Sequence, residues 1–521
     1  MNEIYITDAC ALFADKLTPD EKIVKGSKFY FGKLEKDFEQ IQEPNYNLRC
    51  NRLLKFLVDK LDLSEYDKSE IGIVIGTTNS GIEEYETTEN KHHAELGNPA
   101  EFLKWYLGTT NYAASVSTAC TSGIKAFATA IRLLENNVCK AVIAGGVDTL
   151  ASMPTYGFDA LEVLSHEKTN PFSKNRNGIS LGEGGALFLL TQKKADSQDD
   201  KKASDYIQLL GIGETSDAYH SATPDPEGTQ ASIAIQKALD EAKLSPDDID
   251  YINLHGTGTI SNDLMEANAI YKIFQDKVPT SSTKPITGHC LGAAASIETF
   301  ICYEILKGKR KLPIHNFDGQ YDDKLPKINL VNENSEYGEI NTCMCTSFGF
   351  GGTNAVIILG KGNTKNKEEK YNLSNILPHE KPMILIDDIL QIDMKNQFAK
   401  ASVTINEDKV FFDKSINGIS PLVGIEFMAQ TIGCYAYFKA GETIPKIGFL
   451  LGTRLYENSL EKFENGKTYT ITAKEIYGDN ELVSFECLIY NDNQEVAKAV
   501  INAFQPADAE KYITKTGTSG N

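Results

Sequence analysis

SVSTACTSGIKAFATAIRLL (115–134) opens with a run of small residues that ends at Cys120. It continues with Ile124, Phe127, Ala128, Ile131 and Leu134 on one face at helical spacing. A strand therefore runs into a tight turn at Cys120, and a helix leaves it. At a helix start the dipole and the unpaired N–H groups favour thiolate over thiol, and thiolate is the attacking form. The same N–H groups can hold a developing oxyanion. The competing reading is a small core cysteine, because free cysteine packs like any small apolar side chain.

Outward from this turn the pattern repeats. IGIVIGTT (71–78), AVIAGGVDT (141–149), YINLHGTG (251–258) and MCTSFGF (344–350) are short apolar strands, each separated from the next by amphipathic helices. That alternation predicts a layered α/β fold over residues 1–360. The polar run GKGNTKNKEEKYN (360–372) has no apolar periodicity, which predicts a linker over 361–372. Beyond it, the apolar helix PLVGIEFMAQTIGCYAYF (421–438) precedes strand-like runs at 446–456, 467–477, 482–490 and 495–504. One long helix with a strand meander predicts an α+β domain over 373–508 whose sheet wraps the helix, with a loose tail at 509–521.

Bulk properties narrow the function. The chain has 521 residues and a formal net charge of −20, which argues against a general nucleic-acid or membrane-binding surface. No run of about 18 apolar residues predicts a membrane span, and the N-terminus does not resemble a secretory signal. Ten cysteines without a CxxC pair argue against disulfides and structural zinc and point to a reducing cytoplasm.

Two of the eight histidines lie in small-residue turns. His255 sits in LHGTGT (254–259), just after a strand, and His289 ends KPITGH (284–289). Glycine neighbours allow backbone to approach a ligand closely. A lone loop histidine is more often structural, but two such turns beside the cysteine turn suggest one site. SFGFGGTN (347–354) also follows a strand, and its turn could aim an N–H group at a reacting carbonyl.

These motifs, with NPFSKNR (170–176) and GEGG (182–185), resemble the β-ketoacyl-acyl carrier protein synthases in the same order over about 350 residues. The resemblance implies a thiolase-like αβαβα fold and a decarboxylating condensation. Cys120 would carry the acyl group as a thioester, and neutral His255 and His289 would stabilise the enolate left by malonyl decarboxylation. Lys284 would organise the surroundings of His289. The N–H groups of Cys120 and Phe350 would form a second oxyanion hole. Phe348 and Phe350 would gate the acyl pocket, with core packing as the alternative, and Thr257 and Thr259 would contact substrate. Thiolases use a second cysteine as base. Here that position is His289, and Cys290 is expected as apolar filler. The N-terminus, IYITDACALF, departs from the glycine-rich opening of typical members.

In the second domain, ILPHEKPMILID (376–387) and GIEFMAQ (424–430) resemble hot-dog 3-hydroxyacyl-carrier-protein dehydratases of the aryl polyene type. Such enzymes pair a histidine with a helix glutamate. The turn before the helix, FFDKSING (411–418), has no histidine, and His379 is the only histidine after residue 315. Either His379 and Glu426 form a rearranged pair, or the domain has lost catalysis and serves as a scaffold or acyl-binding module. The resemblances imply acyl carrier protein, acyl and malonyl thioesters as partners, and a homodimer. No cofactor or metal is expected; GIGE (211–214) lacks the third glycine of a dinucleotide fingerprint, so ketoreduction belongs elsewhere. The alternative is a non-catalytic acyl-binding or assembly subunit of the chain-length-factor kind, which would lack the nucleophilic cysteine.

Overall fold

A computed structural model describes residues 3–21, 23, 28–192, 206–361, 373–394, 396–441, 448–479, 482–491 and 494–504. The chain divides into two compact units, Met1–Thr364 and Lys365–Asn521. Residues 362–372 of the expected linker and the expected tail, 509–521, lie outside the described residues; Lys361 still belongs to a strand.

The first unit is built on a ten-stranded sheet. Its strands are β1 (Ile4–Phe13), β2 (Ile71–Gly76), β3 (Ala113–Val116), β4 (Ala141–Asp148), β5 (Gly184–Gln192), β6 (Ile207–Ser216), β7 (Tyr251–Asn253), β8 (Thr280–Ser281), β9 (Thr342–Gly349) and β10 (Thr353–Lys361). The order is β8-β7-β9-β10-β6-β1-β5-β4-β2-β3. β2 and β4 are buried at every position, which is why they read as continuous apolar runs without alternation.

The sheet has two matching halves joined where β1 pairs with β6. Outward from the join, each half shows two antiparallel pairings and then two parallel ones: β1-β5-β4-β2-β3 on one side, β6-β10-β9-β7-β8 on the other. Helices α1 (Ser122–Glu135), α2 (Thr229–Ala242), α3 (Ile260–Phe274) and α4 (Ala294–Leu306) give the layers. α1 and α4 occupy matching places and pack together between the halves, and α4 is apolar and buried nearly all round. They approach so closely that a Cβ on Gly123 would lie 2.5 Å from Ser296 Oγ. α2 covers the outer face of β6 and β10, and helices Arg49–Val58 and Asn98–Leu107 cover the outer face of the other half. The layering is αβαβα.

The second unit has a six-stranded antiparallel sheet. Its strands are β11 (Asp388–Asp393), β12 (Phe398–Thr404), β13 (Phe449–Asn458), β14 (Thr468–Asp479), β15 (Leu482–Asn491) and β16 (Gln494–Phe504), in the order β11-β12-β14-β15-β16-β13. Helix α5 (Gly424–Lys439) packs across this sheet, and its Phe427, Met428 and Tyr435 share a core with Tyr469, Ile471, Cys487 and Ile489. This is the expected α+β arrangement. β11 and β12 were not anticipated, because charged and amide residues break their alternation.

Candidate active site

The candidate residues of the first unit gather at or just beyond the C-terminal ends of strands. Cys120 lies beyond β3, two residues before α1 begins; His255 follows β7, His289 follows β8 and a short helix, and Phe350 follows β9. Ala119, just before the nucleophile, has φ 53°, a left-handed conformation that L-residues adopt at a cost. Gly349 backs this turn so closely that a Cβ there would sit 3.2 Å from Cys120 N.

The three key side chains meet. Cys120 Sγ lies 3.0 Å from His289 Nε2, and the His255 and His289 rings stand edge to face with centroids 5.3 Å apart. All three are buried. Backbone N–H groups of Phe350 and of Cys120 itself also point at the sulfur. Cys120, His255, His289, Thr257, Thr259, Phe348, Phe350 and Phe158 line one cleft.

Burial decides the protonation states. It pushes the Cys120 thiol up to about 11; the Lys284 charge and the two N–H groups pull the other way and lose. The expected helix-start stabilisation of thiolate is therefore present but outweighed, because a buried sulfur loses most of its hydration. Both histidines are held well below their ordinary range, first by burial and then by Lys284, so both are neutral.

Lys284 sits differently from expectation. Its ammonium donates to the His255 carbonyl at 2.5 Å, lies 3.3 Å from His255 Nδ1, and is paired with the buried Glu298 carboxylate. It thus organises His255 and reaches His289 only through its charge. An ammonium has no lone pair, so His255 Nδ1 must accept and Nε2 must carry the proton. The Cys120, His255 and His289 ligand atoms lie within 4.8 Å of one another, close enough for a metal. A protonated Nε2 beside a buried cation suits a developing anion and not a metal ion.

The buried acids around the site were not singled out in the sequence. Glu266 of α3 accepts from the N–H groups of His255 (2.7 Å) and Gly256 (2.6 Å) and from Thr346 (2.8 Å), which pins the His255 turn. Asp263, one turn earlier, accepts from Gly258 (3.1 Å) and Phe172 (2.7 Å). Their signal was acidic residues at i, i+3 on a buried helix face. Thr259 caps α3, accepting from Asn262 N, besides lining the cleft. Phe348 packs edge-on against His255 at 6.1 Å, and Phe350 stacks on Phe158 at 5.6 Å. Cys290 is fully buried among backbone, as expected of filler.

In the second unit, His379 Nε2 lies 3.6 Å from Glu426 Oε1, in the first turn of α5, and both side chains are about one-third exposed. Gln430, one turn on and fully buried, donates to Glu426 Oε1 (2.9 Å) and to the Met383 carbonyl (2.8 Å), and accepts from Leu385 N (2.8 Å). It ties the segment after His379 to the glutamate.

A layered fold of two matching halves with a cysteine and two neutral histidines at their strand ends defines a thiolase-like condensing enzyme. Residues 56–195 and 206–318 match the N-terminal and C-terminal domains of beta-ketoacyl synthase, and residues 371–514 match the ApeP-like family, ApeP dehydratase. The chain is 32% identical over 332 residues to 3-oxoacyl-[acyl-carrier-protein] synthase 2 of Vibrio cholerae, covering 57% of this chain and 77% of that one. It is 36% identical over 258 residues to the synthase 2 of Coxiella burnetii, covering 47% of this chain and 61% of that one. Among solved structures it is similar to the ketosynthase ApeO in complex with its chain length factor ApeC from Xenorhabdus doucetiae, with 34% identity, TM-score 0.64, and coverage of 69% of this chain and 98% of that one. The chain belongs to the β-ketoacyl synthase family of acyl-condensing enzymes and carries a C-terminal ApeP-like dehydratase domain. Among the described residues, no helix is long and apolar enough to cross a membrane.

Proposed function

We propose that the first unit catalyses decarboxylative Claisen condensation on carrier-bound thioesters, and that the second dehydrates the 3-hydroxyacyl product of a separate reductase. The observation that carries this is the meeting of Cys120 Sγ with His289 Nε2 at 3.0 Å beside a His255 whose Nε2 carries a proton.

In the first step Cys120 sulfur attacks the acyl-carrier thioester; the carrier thiol leaves and takes up the cysteine proton. Loss of CO₂ from malonyl-carrier then makes an enolate, whose oxygen the N–H groups of His255 and His289 stabilise. The enolate carbon attacks the Cys120 thioester, and the tetrahedral oxyanion rests on the N–H groups of Cys120 and Phe350. Collapse expels Cys120 as thiolate, releases 3-ketoacyl-carrier, and the sulfur recovers a proton from solvent. Thr257 and Thr259 contact the incoming carrier arm, and Phe348 and Phe350 gate the acyl pocket.

In the second unit, a hot-dog domain in this reading, His379 serves as base for the α-proton and Glu426 as acid for the leaving hydroxyl. The pathway is of the polyene or fatty-acid type, in the cytoplasm. The synthase unit works as a homodimer; the Xenorhabdus ketosynthase instead pairs with a chain length factor, so native mass spectrometry of the purified chain tests this point. The function itself is tested with acyl- and malonyl-carrier protein. An acyl adduct on Cys120, CO₂ release and 3-ketoacyl product are expected, and no adduct forms with Cys120→Ala. A wild-type chain that takes no acyl group and releases no CO₂ sinks the proposal.

A further inference from the structure

The divergent N-terminus does something specific. Strands Leu17–Asp20 and Phe29–Gly32 pair antiparallel, and the last residue, Gly32, lies against the turn that leads into His289. Gly32 N donates to the Leu181 carbonyl (2.8 Å), and Glu183 N donates to the Gly32 carbonyl (2.9 Å). The segment 180–183 pairs on its other side with His289: His289 N donates to Ser180 O (2.7 Å), and Gly182 N donates to His289 O (3.0 Å). Gly32, Leu181–Gly182 and His289 thus form a three-strand miniature ladder. Arg49 locks it at one end by holding the Glu183 carboxylate (2.8 Å), which also accepts from Leu34 N (2.9 Å).

The fit is tight against backbone. A Cβ on Gly32 would lie 2.0 Å from the Thr287 carbonyl oxygen and 3.2 Å from Gly288 N, in the turn that delivers His289. Phe29 and Phe31 of the hairpin share a small apolar cluster with Leu181 and Leu291, on either side of that turn.

The two histidines differ in what holds their rings. His255 is gripped by Lys284. His289 Nδ1 is buried and has no hydrogen-bond partner among the described residues. Apart from the Nε2 contact with Cys120, the position of the His289 ring therefore depends on its backbone and packing, and the backbone is set by this ladder.

We infer that Gly32 is a positioning residue for His289: the N-terminal hairpin seats the turn that brings Nε2 to the Cys120 sulfur, and only a residue without a side chain fits there. This rests on the reading of His289 as a donor in the condensing site.

The test compares three variants of the full chain, each scored per folded molecule. Gly32→Ala and the gentler Phe31→Leu disturb the hairpin. Gly211→Ala places a Cβ 2.3 Å from the Ala238 carbonyl, a comparable backbone clash on the outer layer, and controls for general destabilisation. Displacing a catalytic group by about 1 Å costs up to about 100-fold in rate. Gly32→Ala is expected to lower kcat for malonyl-carrier decarboxylation by about tenfold or more with KM within about twofold, and Phe31→Leu by about threefold. Gly211→Ala keeps the wild-type kcat. Should Gly32→Ala fail to fold, the Phe31→Leu split decides. Hairpin variants with the kcat of Gly211→Ala overturn the inference. If the wild-type chain itself does not decarboxylate malonyl-carrier, the functional reading falls. Iodoacetamide labelling of Cys120 then decides the inference separately: hairpin variants must label at a rate different from Gly211→Ala, and equal rates overturn it.

Discussion

The Cys120 sulfur lies 3.0 Å from His289 Nε2, whereas the Lys284 ammonium sits on His255. With the thiol pushed up to about 11 by burial, Cys120 rests as the thiol at pH 7. Alkylation of Cys120 by iodoacetamide should therefore quicken steadily from pH 7 to 10 with no plateau. His289→Ala should slow it at pH 7 several-fold more than His255→Ala does. A plateau below pH 8 would show that burial does not control the thiol.

Lys284 and Glu298 form a buried ion pair, with Glu298 raised to about 7 by burial. Removing one partner strands the other, at a cost of about 3–5 kcal/mol. Lys284→Met alone should lower the melting temperature of the synthase unit, and adding Glu298→Gln should recover most of the loss. Decarboxylation should stay absent in both variants, because His255 has lost the ammonium that keeps its proton on Nε2. Differential scanning calorimetry with a CO₂-release assay separates the two effects.

Glu426→Gln and His379→Ala should each cut dehydration of 3-hydroxyacyl-carrier by about 10²-fold or more, the usual worth of a positioned acid or base. Acyl loading of Cys120 should be unchanged, since these residues belong to the other compact unit. Mass spectrometry of the carrier-bound products and of the intact chain reads both steps in one sample.

Gln430 satisfies Leu385 N and Glu426 with one side chain. Gln430→Leu leaves a buried N–H unpaired, a cost of about 1–3 kcal/mol. The thermal transition of the dehydratase unit should fall while that of the synthase unit holds. Glu426, no longer held by the amide, should also lose dehydration in the fraction that remains folded.

His315 by itself works against the synthase unit in acid. His315 accepts from Ser282 N (3.1 Å) and is bonded to the Pro171 carbonyl (3.0 Å), and burial lowers it to about 4. Between pH 6.5 and 4 the unfolded chain binds a proton there that the folded chain refuses, so stability falls as pH falls, by up to about 1.4 kcal/mol per pH unit. Glu266 and Glu298, raised to about 7 by burial, act with the opposite sign between about pH 4.5 and 7. His315→Gln should remove up to one proton from the pH slope. Denaturant midpoints at pH 5 and 6.5 measure it, and an unchanged slope would assign the acid sensitivity to other groups.

Much was legible in sequence because it is local. The small-residue run into Cys120, the apolar face of α1, the glycine-flanked turns at His255 and His289, and the missing histidine before α5 are each set by steric and hydrophobic preferences within one short stretch. Residues 115–134 alone carried the turn, the helix and the nucleophile. The two-halved sheet was not visible, because its halves share order and pairing and not residue pattern. Glu266, Glu298 and Gln430 were also missed; their roles rest on partners such as His255, Lys284 and Leu385, which lie 11, 14 and 45 positions away in the chain.

Tertiary structure alone decided the electrostatics. Sequence placed Cys120 at a helix start and so favoured thiolate; burial reversed that, because losing hydration outweighs a helix terminus and a nearby ammonium. Sequence assigned Lys284 to His289; the fold set it against His255, because the turn that carries Lys284 points its side chain toward the Glu298 carboxylate and the His255 carbonyl. Chain order supplies which groups exist, and only the packed interior settles which of them touch and in what state of charge.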